Sequence, residues 1–405
     1  MDTNIHETFL QLVRLGIGTS KDAKIPNEVD WVALKALADA QGLTAVVLDG
    51  LDRCHTDTTD STDKMPQVLR LEWIGEVLQM EARSDAQNKA AEALGELFHN
   101  NYIRTFVLKG AVIAECYPKP EHRVSADMDC FLVNDNDNLD DNLDLNLNLN
   151  DNLDLNDWRA HEEAWKLGND LVKAKGYEVG EGFYKNSSFH LPGLMVENHR
   201  YMTPFRGNKK LRNLEILLQG LMEGHTDSTE NTDSSLNTNG DPSRIGDTWL
   251  YRPPVMVSAL FLIEHAYSHF LHEGLTWRMV LDWVLFKKKH EKEICWMDFD
   301  ALVEEFGFRK FYDTFNAIGQ EVFNANLNDN DNREVDPKLK ALMVEDIWAP
   351  LDLHESLQGV KAKFQLAGNY WRARWKYKYF TDMTWMRALM EWVLGAVFDR
   401  NPKLD

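Results

Sequence analysis

Asp127 and Asp129, one residue apart at the start of the apolar run DMDCFLV, have the spacing of a cation-binding pair. In a strand, residues two apart face the same side, with a rise of about 3.3 Å each, so the two carboxylates project together. Neighbouring carboxylates repel, and a shared proton or a bound cation relieves the repulsion. Two divalent ions about 3.5–4 Å apart, bridged by such groups, activate an attacking oxygen and neutralise a departing pyrophosphate. D-x-D by itself discriminates little here, because Asp135-x-Asp137 and Asp329-x-Asp331 repeat it inside polar tracts. The pair at 127 and 129 differs in opening an apolar strand, where a charge costs free energy unless it is paired or metal-bound.

Other residues with chemical potential lie around this pair. Upstream, Lys109-Gly110 stands at a strand end entering a helix, where backbone N–H groups receive phosphate. Arg123 and Ser125 add a cation and a hydroxyl donor before the aspartates. His199 shares a strand face with Glu197, and a hydrogen-bonded structural histidine is the expected role ahead of a base; His190 is read the same way. His265 and His269 are spaced i, i+4, a feasible zinc geometry, but the H-E-x-x-H pattern and a third ligand are lacking. Arg278 and Asp282, also i, i+4, are expected to form a helix ion pair, ahead of a role near a nucleotide or acceptor. NYWRARWKYKYF (369–380) interleaves aromatics with bases, a pattern that binds single-stranded nucleic acid. The expectation preferred is an amphipathic helix covering the core with snorkelling bases.

The elements that must position these residues follow from periodicity. VDWVALKALADAQGL and LRLEWIGEVLQMEARSDAQNKAAEALGELFHNN carry apolar residues at helical spacing. IRTFVLKGA and MDCFLV read as strands, WRAHEEAWKLGNDLVKAKG as a helix, and SSFHL and LMVENH as strands joined by the turn pair Pro192-Gly193. From about residue 250 the pattern is helical. The fold class predicted is α+β, a small mixed-sheet core flanked by N- and C-terminal helical regions. The expected divisions are 1–100 helical, 101–224 core, 225–247 linker and 248–405 helical.

The net charge of −21 lies mostly in four tracts rich in Asp, Asn, Thr and Ser, at 55–64, 134–157, 225–247 and 324–336. Such tracts bury too little apolar surface to offset the entropy of ordering them, and they read as insertions. Calcium binding in the longest is a weak reading, since no EF-hand loop is matched. The remainder is near neutral, so bulk charge selects no partner. The four cysteines lack C-x-x-C spacing, which fits a reducing cytosol. No secretory signal is read at the N-terminus, and the best membrane candidate, MRALMEWVLGAVF, is interrupted by Arg387 and Glu391. A soluble cytoplasmic protein is expected, with no membrane and no DNA partner indicated.

FVLKGAVIAECYPKPEHRVSADMDCFLV resembles the signature of the uncharacterised nucleotidyltransferase family of bacterial proteins, within the polymerase-β-like superfamily. LMVENH resembles the family's following strand, and LIEHAYSHFLHEGLTWRMVLDW its helical region, so the likeness runs from about residue 95 to 290. The resemblance implies that Lys109 and Gly110 face a triphosphate, that Asp127 and Asp129 bind metal, and that Glu197 is the third carboxylate. It implies a Mg²⁺- or Mn²⁺-dependent enzyme that moves a nucleoside monophosphate from an NTP to an acceptor, which is a small molecule, a protein or an RNA. One departure is Ala111, where the wider superfamily has Ser after the turn glycine; a phosphate contact would then come from Lys109, Arg123 or Ser125. It keeps open a non-catalytic nucleotide-binding regulatory module. A toxin-like RNA nucleotidyltransferase is supported by the basic-aromatic stretch alone.

Overall fold

The apolar stripes in the first hundred residues close into helices that pack on one another before the sheet begins. A computed structural model describes residues 3–57, 65–134, 159–181, 184–205, 208–223, 244–325, 333–349 and 367–390. The readings made for 58–64, 135–157, 225–243 and 326–332 lie outside these residues. The chain opens with α1 (Thr3–Gly16), α2 (Trp31–Ala40), α3 (Thr44–Asp57) and α4 (Gln67–His99). Asp30 caps α2, its carboxylate accepting from Ala33 N at 3.0 Å and satisfying an otherwise unpaired donor. The long helix α4 buries Trp73, Val77, Leu94 and Phe98 along one side and leads into the sheet.

Then follow β1 (Ile103–Val107), α5 (Ala111–Ala114), β2 (Asp127–Asn134), α6 (Arg159–Ala174), β3 (Val179–Glu181), β4 (Asn186–Leu191), β5 (Leu194–His199), α7 (Lys209–Glu223) and β6 (Leu250–Tyr251). They form one mixed six-stranded sheet of order β3-β4-β5-β2-β1-β6. β4 and β5 are the hairpin that Pro192-Gly193 announces, paired from Asn186↔His199 to Leu191↔Leu194. β2 is central, antiparallel to β1 and parallel to β5. The α+β class and the flanking helices are as expected. β6 departs from the reading of an all-helical chain after 250: it is two residues long, too short for any period to register, and pairs in parallel with β1.

Beyond it come α8 (Val255–His272), α9 (Trp277–Lys289), α10 (Trp296–Glu305), α11 (Arg309–Phe323), α12 (Pro337–Trp348) and α13 (Arg374–Phe380). No helix among the described residues is long and apolar enough to cross a membrane. Buried apolar side chains form one cluster from Phe9 in α1 to Phe380 in α13. Helix α13 covers the core as expected, but only some of its bases reach solvent. Arg372, Arg374 and Lys378 are exposed, whereas Lys376 is fully buried, 2.8 Å from Asp346 Oδ2 and donating to Phe270 O. A buried ammonium must find such partners, since desolvation otherwise drives it neutral.

Candidate active site

The site forms where β1 leaves the sheet beside β2. Leu108 N donates to Asp129 O at 2.9 Å, which keeps the chain alongside β2 for one residue past the strand. Gly110 then turns it with φ +72 and ψ −109, a conformation only glycine adopts without strain. A Cβ there would stand 3.3 Å from Ser125 Oγ, which itself donates to Asp127 O at 2.8 Å. The helix that follows, α5, is a single turn, shorter than the phosphate-receiving helix read from the sequence.

Asp127 and Asp129 share a face of β2, and the parallel register with β5 sets Asp129 opposite Glu197 and Phe131 opposite His199. The period-two pattern is thus duplicated on neighbouring strands, D-x-D beside E-x-H. Asp129 is 1% exposed; its Oδ1 stands 2.9 Å from His199 Nε2 and its Oδ2 3.1 Å from Lys109 Nζ. Lys109 Nζ also lies 3.9 Å from Asp127 Oδ2 and 3.2 Å from His265 Nε2. His199 Nε2 is 3.5 Å from Glu197 Oε2, and its Nδ1 is 3.2 Å from Tyr201 O. Asn186 Nδ2 donates to Glu197 Oε2 at 2.8 Å. Asp127 and Glu197 keep partial exposure, 25% and 28%.

The electrostatics divide the two aspartates. Burial opposes ionisation of Asp129, but Lys109 and His199 outweigh it and hold its carboxyl well below the usual range. Asp127 goes the other way: burial and the charge of Asp129 raise it, with Lys109 offsetting part. The hydrogen bond from His199 lowers Glu197. Burial works against the charge on Lys109, and the two aspartates more than restore it. Burial and the Lys109 ammonium push His265 down, leaving a neutral ring to accept from Lys109.

These residues fit a divalent cation. Asp129, Glu197 and His199 each offer an atom within 4.8 Å of the others, and Asp129 Oδ2, buried, faces the Lys109 ammonium at 3.1 Å. A hard cation satisfies such oxygens better than the ammonium alone.

Arg123 lies at the site, but its donors are spent inside the protein. Its Nε and Nη2 each donate to Asp282 at 2.8 Å, and Nη1 lies 3.4 Å from Gly110 O. Tyr117 Oη donates to the same Asp282 at 2.7 Å. The helix ion pair expected of Arg278 and Asp282 forms, with Arg278 Nη1 3.4 Å from Asp282 Oδ2, but Asp282 is buried and takes its shorter contacts from Arg123 and Tyr117. A cavity of about 220 Å³ opens between this edge of the sheet and α8, α9 and α11, lined by Lys109, Ser125, Asp127, His265, Arg278 and Phe315 among others.

Some partners had no signal in the sequence. His122, one residue before Arg123, is clamped by Asp49 at 2.6 Å and Glu81 at 2.8 Å, from α3 and α4. His269 turns to Glu273 at 2.6 Å while His265 turns to Lys109, so the two do not converge as a zinc pair. His190 is exposed. Glu215 of α7 is buried away from the aspartates and accepts from Met202 N and Thr203 N at 3.0 and 2.7 Å.

No curated protein and no solved structure matches the chain. The family model described as uncharacterised nucleotidyltransferase matches residues 27–324. That span is longer than the stretch from 95 to 290 and takes in α2, α3 and α4, which supply Asp49 and Glu81. With the match reaching across most of its length, from before α2 through α11, the chain belongs to the uncharacterised nucleotidyltransferase family.

Proposed function

We propose that the chain transfers a nucleoside monophosphate from an NTP to an acceptor oxygen, with Mg²⁺ or Mn²⁺ held by Asp127, Asp129 and Glu197. The observation that carries this reading is the register of β2 on β5, which puts three carboxylates on one face, with Asp127 lining a cavity. In the reaction the acceptor oxygen attacks the α-phosphorus, the bond from that phosphorus to the bridging oxygen breaks, and pyrophosphate leaves. A bound divalent ion lowers the pKa of an attacking oxygen and neutralises the departing charge. Lys109, Gly110 and Ser125 face the triphosphate. Arg123 contributes by holding the loop through Asp282, and Asp127, the carboxylate that lines the cavity, is placed to hold the ion beside the triphosphate while the acceptor's proton passes to solvent.

A non-catalytic nucleotide-binding module is the second reading. It is favoured by Lys109 lying on the aspartates and by Arg123 being committed to Asp282, which together leave few free phosphate ligands. The acceptor class, whether small molecule, protein or RNA, is addressed by the same assay that separates these readings. The four free cysteines accord with a reducing, cytoplasmic setting. The test is incubation with each α-labelled NTP and Mg²⁺ or Mn²⁺ in cell extract, comparing the parent with Asp127→Asn. Label should enter one fraction with the parent and fall at least about 100-fold with the variant, the scale of losing one preorganised charged group. Labelling by Asp127→Asn at the parent's rate would refute the carboxylate assignment, and NTP binding without any labelled product would favour the second reading.

A further inference from the structure

The carboxylate face of the sheet also carries a histidine whose surroundings are those of a metal ligand. His199 is buried on β5, and its Nε2 points between Asp129 Oδ1 at 2.9 Å and Glu197 Oε2 at 3.5 Å. Donor atoms about 2.1 Å from one ion stand about 3.0 Å apart at right angles and about 3.4 Å apart at the tetrahedral angle. Both separations seen here match adjacent positions around a single ion. The other ring nitrogen faces the carbonyl of Tyr201, the outward contact that orients a metal-binding imidazole; an ion would take the place of the proton that Nε2 shares with the two carboxylates. Asn186 orients Glu197 in the same way. Phe261 packs edge-on against the His199 ring, with centroids 6.1 Å apart, and closes the site on the side of α8. Lys109 stands on the other oxygen of Asp129, so the ammonium and an ion at Oδ1 need not compete for one atom.

We infer that His199 is itself a metal ligand, joining Asp129 and Glu197 in a site of two carboxylates and one imidazole. This rests on the divalent-ion reading given above and deepens it. An imidazole ligand disfavours Mg²⁺, which takes oxygen donors, and favours first-row transition ions that accept nitrogen as well; of the two ions named above, Mn²⁺ is the one that fits such a donor set and can be read by its spin.

The experiment is pulsed electron paramagnetic resonance on the full chain loaded with Mn²⁺, supported by calorimetric titration with Mn²⁺ and Mg²⁺. The parent should show nitrogen hyperfine coupling that changes isotope pattern when its histidines are ¹⁵N-labelled, a readout that needs no variant. The coupling should vanish in His199→Gln and persist in His265→Gln. Replacing His199 should also cut the preference for Mn²⁺ over Mg²⁺ about 10-fold or more, the lower end of effects seen at metal sites. An oxygen-only spectrum from the Mn²⁺-loaded parent would overturn the ligand assignment and leave the metal reading standing. So would nitrogen coupling that survives in His199→Gln. Failure of the parent to bind either ion would overturn both.

Discussion

Arg123 illustrates how a residue's role depends on what sits opposite it. Its position between the turn glycine and the two aspartates suggests a phosphate contact, but its guanidinium is buried against Asp282 of α9 in a two-pronged pair. Each partner holds the other charged: Asp282 raises Arg123 against burial, and Arg123 and Arg278 lower Asp282. Removing one member of a buried pair leaves the other unpaired, at about 3–5 kcal/mol. Arg123→Met should therefore lower the unfolding free energy by about that amount in denaturant titration. The double variant Arg123→Met/Asp282→Leu should recover part of it. A loss of NTP affinity in Arg123→Met at unchanged stability would instead make Arg123 a direct phosphate ligand.

Among the elements, α8 brings side chains of the helical region to the carboxylate face of the sheet. It presents Phe261 to His199, His265 to Lys109, and on a further side Glu264 to the interior. Glu264 is buried with Oε2 unpartnered, and burial pushes its carboxyl up to about 7; Lys185 works against the shift, Glu215 adds to it, and His269 and His199 oppose it. Below its ordinary value of 4.5 the carboxyl is protonated in both folded and unfolded chains. As pH rises from there to about 7, the unfolded chain releases the proton first, so stability falls, and above that it levels off. At about 1.4 kcal/mol per pH unit the total is on the order of 3–4 kcal/mol. Glu264→Gln should remove this slope. In denaturant titrations it should match the parent near pH 4.5 and exceed it at pH 8, whereas equal slopes for the two would show that Glu264 is ionised in the fold.

At the scale of the whole molecule, the acidic tract 135–157 enters from β2 and returns to the fold at α6. The two sides are tied together within the described structure. His161 of α6 stands 2.7 Å from Leu132 O of β2 and 2.7 Å from Arg200 O, and its ring stacks on Phe131 at 3.8 Å. Replacing 136–157 with a short Gly/Ser linker should therefore leave β2 and α6 in register. Each halving of a loop changes its closure cost by only about 0.6 kcal/mol. The melting temperature should stay within a few degrees of the parent, and a fall of tens of degrees would show that the tract is part of the folded core.

Local pattern in the sequence was sufficient for the longer elements, though not for the short strands β3 and β6, and for the shared face of Asp127 and Asp129. Strand period and helical period are properties of consecutive residues, so the β4–β5 hairpin, the long α4 and the D-x-D edge were legible without a partner. Glu197 entered by resemblance, and its register opposite Asp129 needed the pairing of strands 68 residues apart in the case of Cys130 and Asn198. The ammonium of Lys109 on Asp129, the clamp of Asp49 and Glu81 on His122, and the capture of Arg123 by Asp282 were decided by tertiary structure alone. In each, burial makes an unpaired charge costly, and the partner that removes the cost comes from whichever element the packing brings alongside, at a sequence distance no spacing rule encodes.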